Sequence, residues 1–235
     1  MFDYTREYDR PTMHVCYNVN DPFISIMGAS IVSIVENNKD WNLVFHVFTD
    51  GYSEHNARLL ESLAKQCKMM VKLYVLRMEA FADFHIKVAR FSRITYGRTV
   101  MPIVLAPEAE RFIYVDADAM CITSLNELWN WSMEGCAMAA VSETPPSVKR
   151  RAGYLKLTSG KYFNDGIMLV NVVEWNKQQI TQQAFSYQNE PKDRFLGQSQ
   201  DVLNLVFDGK NEFLPAKYNM YGGGEAVTNE AVFIH

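Results

Sequence analysis

Residues 111–122 read RFIYVDADAMCI. Five residues of strand character lead into Asp116, and Asp118 lies two positions on. In extended chain, residues i and i+2 point to the same side, so both carboxylates can address one point in space. Two like charges held that close at the end of a buried strand repel, and each needs neutralising. A divalent cation does this, and oxygen ligands suit Mg²⁺ or Mn²⁺. Such an ion can clamp a diphosphate and stabilise the charge that grows on it as it departs. The competing reading is a plain strand-end turn, since Asp is an ordinary turn former.

Outward from this stretch, strands alternate with helical patterns. MHVCYNV reads as a strand from about Met13, broken by NDPF, where Pro22 has no amide for a ladder. In residues 24–37, Ile24, Met27, Ile31, Ile34 and Val35 fall on one helical stripe. NLVFHVFTD is a second strand, Ser53 with Asn56 opens a helix to about Cys67, and MMVKLYVL is a third strand. A looser stretch from 77 to 92 precedes a short helix. After the Asp pair, CAMAAVSE is a strand and KYFNDGIMLVNVVEW a strand running into a helix start. Residues 144–160, with two prolines and a Lys-Arg-Arg run, are the expected flexible piece. This alternation predicts an α/β fold with a mostly parallel sheet. In such sheets, ligands gather at the carboxyl ends of the parallel strands. Asn20-Asp21, Thr49-Asp50, Asp116-Ala117-Asp118 and Ser142-Glu143 all fall at strand ends of that kind.

Composition bounds the rest. The 235 residues are 48% hydrophobic and 21% charged, enough for one domain with a real core. A net charge of −4 supplies no global basic field, so nucleic acid is not the expected partner. The first fifteen residues carry acids and no apolar run, unlike a signal peptide. No apolar run approaches the roughly 20 residues that span a bilayer. The cysteines (Cys16, Cys67, Cys121, Cys136) lack metal-type spacing and read as reduced, in keeping with a cytoplasmic protein.

Taken together, HVCYNVNDPF, LVFHVFTDGYS, SRITYGR, FIYVDADAMCITSLNELW, GKYFNDGIMLVNVVEWN, GQSQDVLN and the closing VFIH resemble glycosyltransferase family 8. Within it, the resemblance is to the bacterial lipopolysaccharide core galactosyl- and glucosyltransferases. The segments stand in the family's order from about residue 13 to 235. The resemblance implies a GT-A fold, a Rossmann-like nucleotide-binding sheet, with residues 1–235 forming one catalytic domain after a twelve-residue extension. It implies a retaining transfer of glucose or galactose from a UDP-sugar to a lipopolysaccharide core acceptor. The setting it implies is the inner face of the cytoplasmic membrane, with peripheral contact.

By the same resemblance, Asp116, Asp118 and His235 hold Mn²⁺, with Mg²⁺ the alternative, against the UDP diphosphate. An imidazole ligand favours Mn²⁺. Asn20, Arg98 and Ala117 line the nucleotide, and an arginine suits phosphate or a ring face. Glu143, Asn164, Asp165, Gln200 and Asp201 build the sugar site, and Gly166 allows close approach of backbone and ligand. Gln200 and Asp201 are the catalytic pair. A double displacement needs a carboxylate nucleophile under the ring, and the matching Gln200 is an amide. A front-face, internal-return route is therefore expected, with nearby dipoles stabilising an oxocarbenium-like transition state.

Departures from the family pattern are also visible. Where the family places an Asp and, two residues on, an Asn to read uracil, this chain has Asn20 and Pro22. Ser199 stands in place of the first Asp of the family's Asp-Gln-Asp. The family continues past the histidine with a Gly- and Lys-containing stretch and often a basic tail, so a missing C-terminal segment is expected. Alternatives are a family member acting on another glycan, a non-catalytic nucleotide-sugar binding protein, and a phosphatase-like Asp-x-Asp protein. Ala119-Met120 after the pair argues against the last.

Overall fold

A computed structural model describes residues 1–5, 9–86, 92–191, 193–220 and 230–235. The chain opens with a short strand, β1 (Phe2–Asp3), followed by β2 (Thr12–Asn18). A 3-10 turn at Asp21–Phe23 leads into α1 (Ile24–Asn37), β3 (Asn42–Thr49), α2 (Glu54–Cys67) and β4 (Met70–Val75). Ser53 caps α2, its hydroxyl accepting from the Asn56 amide at 3.2 Å. Within the twelve residues expected to precede the ordered fold, Phe2–Asp3 instead adds β1 to the sheet edge, with Phe2 opposite Val71.

The short helix expected after Ser92 is a 3-10 segment, Arg93–Thr99, continued by α3 (Met101–Leu105). Next come β5 (Arg111–Val115), β6 (Met120–Cys121), α4 (Asn126–Trp129) and β7 (Met138–Ser142). The segment expected to be flexible forms a helix, α5 (Pro145–Leu155), which corrects the reading of 144–160. Its prolines occupy the first helical positions, where the missing amide costs nothing and the fixed φ is already helical. Ala152 and Leu155 bury its inner face. Then follow β8 (Phe163–Asn171), α6 (Val172–Lys177), α7 (Ile180–Phe185), α8 (Ser199–Phe207), β9 (Glu212–Leu214) and β10 (Phe233–Ile234).

One sheet has the order β1-β4-β3-β2-β5-β8-β7-β9. Strands β4, β3, β2 and β5 are mutually parallel, β8 runs antiparallel to both β5 and β7, and β9 is parallel to β7. Alternate residues therefore face opposite layers, and both layers are apolar. Val15, Tyr17, Phe45, Val47, Ile113 and Val115 pack under α1 and α2. Cys16, Phe48, Phe112, Tyr114, Met168 and Val170 pack under the helices of the second half.

This arrangement brings the carboxyl ends of β2, β5 and β7 and the amino end of β8 to one edge. A separate two-stranded sheet pairs β6 with β10, Phe233 opposite Cys121 and Ile234 opposite Met120. Continuing that register carries His235 back beside the Asp116–Asp118 loop. Among the described residues, no helix is long and apolar enough to cross a membrane.

Candidate active site

Three potential ligand atoms, from Asp116, Asp118 and His235, lie within 4.8 Å of one another. His235 Nε2 is 3.4 Å from Asp118 Oδ1 and 3.7 Å from Asp116 Oδ2. The other ring nitrogen, Nδ1, meets the Asn219 side-chain oxygen at 3.0 Å. Because that oxygen only accepts, Nδ1 carries a proton, and Nε2 faces the carboxylates, where it can bear a second proton toward Asp118 or give its lone pair to a cation. A second partner that fixes the tautomer is a recurrent feature of metal-ligating histidines. Burial opposes a charge on His235, but the carboxylates of Asp118, Asp116 and Asp165 outweigh it and raise its affinity for a proton. In return, the imidazole hydrogen bond holds Asp118 below the ordinary carboxylate range. Two carboxylates and an imidazole facing one point form a donor set suited to a divalent cation.

Gly166 explains how the imidazole fits. A Cβ there would collide with His235 Cε1 and lie 2.8 Å from its Nδ1. The close approach expected at this glycine is thus made by His235 itself.

Arg98 is buried and spans the two acidic segments. Its Nη1 is 2.7 Å from Asp165 Oδ2, its Nη2 is 3.2 Å from Asp116 Oδ1, and its guanidinium lies 4.4 Å from the Tyr114 ring centroid. Burial disfavours its charge, yet Asp165, Tyr114 and Asp116 together raise its pKa, so it stays cationic. Tyr114 donates to Asp116 Oδ1 at 2.7 Å. These bonds orient one Asp116 oxygen inward and leave Oδ2 toward His235.

Glu143, at the end of β7, accepts from Asn164 Nδ2 at 3.0 Å and from Gln200 Nε2 at 3.4 Å. Asn164 Oδ1 in turn accepts from Asn219 Nδ2 at 2.8 Å. Gln200 also bonds Tyr162 Oη at 3.0 Å, and its oxygen accepts from the Asp165 amide at 3.3 Å. A continuous polar chain thus joins His235, Asn219, Asn164, Glu143 and Gln200. Asp201 sits behind it, fully buried. Its Oδ1 accepts from Arg151 and from Tyr162, each at 2.6 Å, and its Oδ2 from the Gly197 amide at 2.7 Å. That environment satisfies the carboxylate from inside the fold.

Beside the carboxylates lies a cleft of about 480 Å³, lined by Asn18, Asn20, Phe23, Thr95, Arg98 and Ala117 among others. That volume is within the ~300–1,000 Å³ range of small-molecule sites. The side-chain oxygens of Asn18 and Asn20 are buried there with no partner among the described residues. Buried acceptors without partners are costly, and a donor-bearing ligand removes that cost. Two other strand-end residues serve the fold instead. Asp21 Oδ1 ties down α2 through the Ser53 amide and Asn56 Nδ2, both at 2.7 Å. Thr49 Oγ1 bonds the Gly51 carbonyl at 2.7 Å.

Sequence reading missed Asn219, Tyr162, Arg151 and Asn18. Asn18 and Tyr162 lie inside the quoted segments HVCYNVNDPF and GKYFNDGIMLVNVVEWN without being singled out there, while Asn219 and Arg151 lie outside them and only the fold brings them to the site.

The model of glycosyl transferase family 8 matches residues 14–235. The chain belongs to that family. It is 28% identical to the lipopolysaccharide glucosyltransferase WaaO of Escherichia coli strain K12, over all of this chain and 73% of that protein. It is also 28% identical to the lipopolysaccharide 1,3-galactosyltransferase of Salmonella typhimurium strain LT2, over all of this chain and 74% of that one. In fold it is similar to the galactosyltransferase LgtC, solved in complex with donor and acceptor sugar analogs. The TM-score is 0.85 at 21% identity, over 95% of this chain and 86% of LgtC. The family 8 member described here therefore has the GT-A fold, as its sequence predicts.

Proposed function

We propose that this family 8 chain is a retaining hexosyltransferase that moves glucose or galactose from a UDP-sugar to a lipopolysaccharide core oligosaccharide. The observation that carries the reading is the convergence of Asp116, Asp118 and a tautomer-fixed His235 beside a cleft with two unpaired buried acceptors. Those three residues would hold Mn²⁺, with Mg²⁺ the alternative, and a cation bound there neutralises a diphosphate and the charge developing on it. Asn20, Ala117 and Arg98 would face the nucleotide, with Asn18 beside them.

Glu143, Asn164 and Asp165 would contact the sugar, their side chains already fixed by Gln200, Asn219 and Arg98. The Gln200 amide, held by Glu143, Tyr162 and the Asp165 amide, offers an oriented dipole to an oxocarbenium-like centre. It is a poor nucleophile, and Asp201 is enclosed by three donors. Both facts favour internal return over a covalent adduct. The acceptor hydroxyl attacks C1 on the face the diphosphate leaves. The C1–O bond to phosphate breaks, the new C1–O bond forms, and a phosphate oxygen takes the acceptor's proton. Residues 1–235 form one catalytic domain in this reading, acting at the cytoplasmic membrane's inner face.

The test is incubation with UDP-glucose or UDP-galactose and a core oligosaccharide, with product analysis by NMR. An α-linked hexose product is expected, from one donor in preference. A glycosyl adduct on Asp201 or Glu143, detected by mass spectrometry, would overturn the route. The absence of both transfer and donor hydrolysis would overturn the assignment as a catalyst.

A further inference from the structure

Helix α5 starts at the site and returns to it. Glu143, two residues before its first turn, touches Asn164 and Gln200, and Arg151 reaches inward to Asp201. Val148, Ala152 and Leu155 pack its inner face. The outer face carries Lys149, Arg150, Gly153 and Tyr154, all exposed, with Lys156 at the helix end and Lys161 beyond it. In a chain of net charge −4, this is a local cationic stripe. Lys149, Arg150 and Lys156 have no anionic partner among the described residues, whereas Arg151 on the same helix does.

Two further features shape this face. Around Gly153 nothing lies within 4 Å of the place a Cβ would take, so the helix surface is open between the cations and Tyr154. Tyr154 is 42% exposed, yet its hydroxyl is tied to the Asp193 carbonyl at 2.5 Å. A large ring held in place beside open helix surface offers a flat amphipathic surface at little entropic cost. Flanking unpaired cations add charge-assisted donors for an oxyanion.

We propose that the outer face of α5 binds the acceptor as an anionic saccharide, with Tyr154 against a pyranose ring and Lys149 and Arg150 on its phosphate or carboxylate groups. This rests on the transferase reading above and specifies the class of acceptor. Lys149, Arg150 and Tyr154 are not among the residues that line the donor cleft, so the two ligands have separate contacts.

The experiment measures binding of a fluorescent phosphorylated core oligosaccharide, and of the same probe after phosphatase treatment, with and without UDP and Mn²⁺. The wild type should prefer the phosphorylated probe by about tenfold, a preference that salt weakens. Lys149→Ala with Arg150→Ala should erase that preference, and Tyr154→Ala should weaken both probes. UDP affinity, measured separately, should be unchanged in the Lys149/Arg150 double variant. Equal affinity for the two probes in the wild type would overturn the proposal. So would α5-dependent binding to phosphatidylglycerol vesicles that matches binding to the probe, since the face would then be a membrane contact. Loss of UDP binding with the phosphate preference intact would instead remove the donor reading alone.

Discussion

At the scale of single residues, the site depends on side chains that hold other side chains. Asn219 fixes the His235 ring, so Asn219→Ala should weaken Mn²⁺ binding by about 10- to 100-fold, as loss of such a supporting bond generally does. Electron paramagnetic resonance titration of free Mn²⁺ would read this directly. Gly166→Ala should have a larger effect, because the added methyl occupies the space of the His235 ring. Behind the site, Arg151→Met would leave the fully buried Asp201 without its cation. Breaking one side of such a pair typically costs about 3–5 kcal/mol. Urea denaturation should show that loss, and adding Asp201→Asn should restore part of it. Asp116, Asp118 and Glu143 were legible in the sequence because each ends a strand-like run. Asn219 was not, for it lies in a stretch without periodicity and reaches His235 only through the pairing of β10.

At the scale of elements, the sheet carries a polar chain away from the site. His14 Nδ1 is 2.9 Å from His46 Nε2, and His46 Nδ1 is 3.0 Å from the Tyr74 hydroxyl. Burial, then the neighbouring His14, push the His46 pKa down to about 3 against the opposing pull of Glu108. The unfolded chain takes up that proton near the ordinary histidine value of about 6.5. Between those values the unfolded state binds more protons. Stability is therefore fully present above about pH 6.5 and falls as pH drops toward 3, by at most about 1.4 kcal/mol per pH unit for this group. His46→Leu should flatten the dependence of melting temperature on pH across that window. An unchanged slope would show that His46 is charged in the folded protein. Helix α5 carries the lesson about reading elements. Pro145 and Pro146 look like breakers beside a basic run, but at the first helical turn they are start signals. Its apolar positions, Val148, Ala152 and Leu155, are too few and too small to stand out against the Lys-Arg-Arg run.

At the scale of the whole molecule, the strand order explains why distant segments meet. Parallel β2, β5 and β7 end at one edge, and the reversed β8 begins there, so residues 20, 98, 116, 143 and 164 converge without any local motif joining them. The alternating elements were visible in the sequence as periodicity. The sheet order was not, because parallel neighbours are chosen by crossovers rather than by adjacent residues. The β6–β10 pairing closes the site by returning the last residue to the loop after β5. Whether this convergence is a divalent-cation site for a nucleotide diphosphate decides the functional reading. This is tested most directly by calorimetric titration of UDP with and without Mn²⁺, in the wild type and in Asp118→Ala. UDP binding that requires Mn²⁺ and disappears in the variant is the predicted result. UDP affinity indifferent to Mn²⁺ and retained in Asp118→Ala would contradict it.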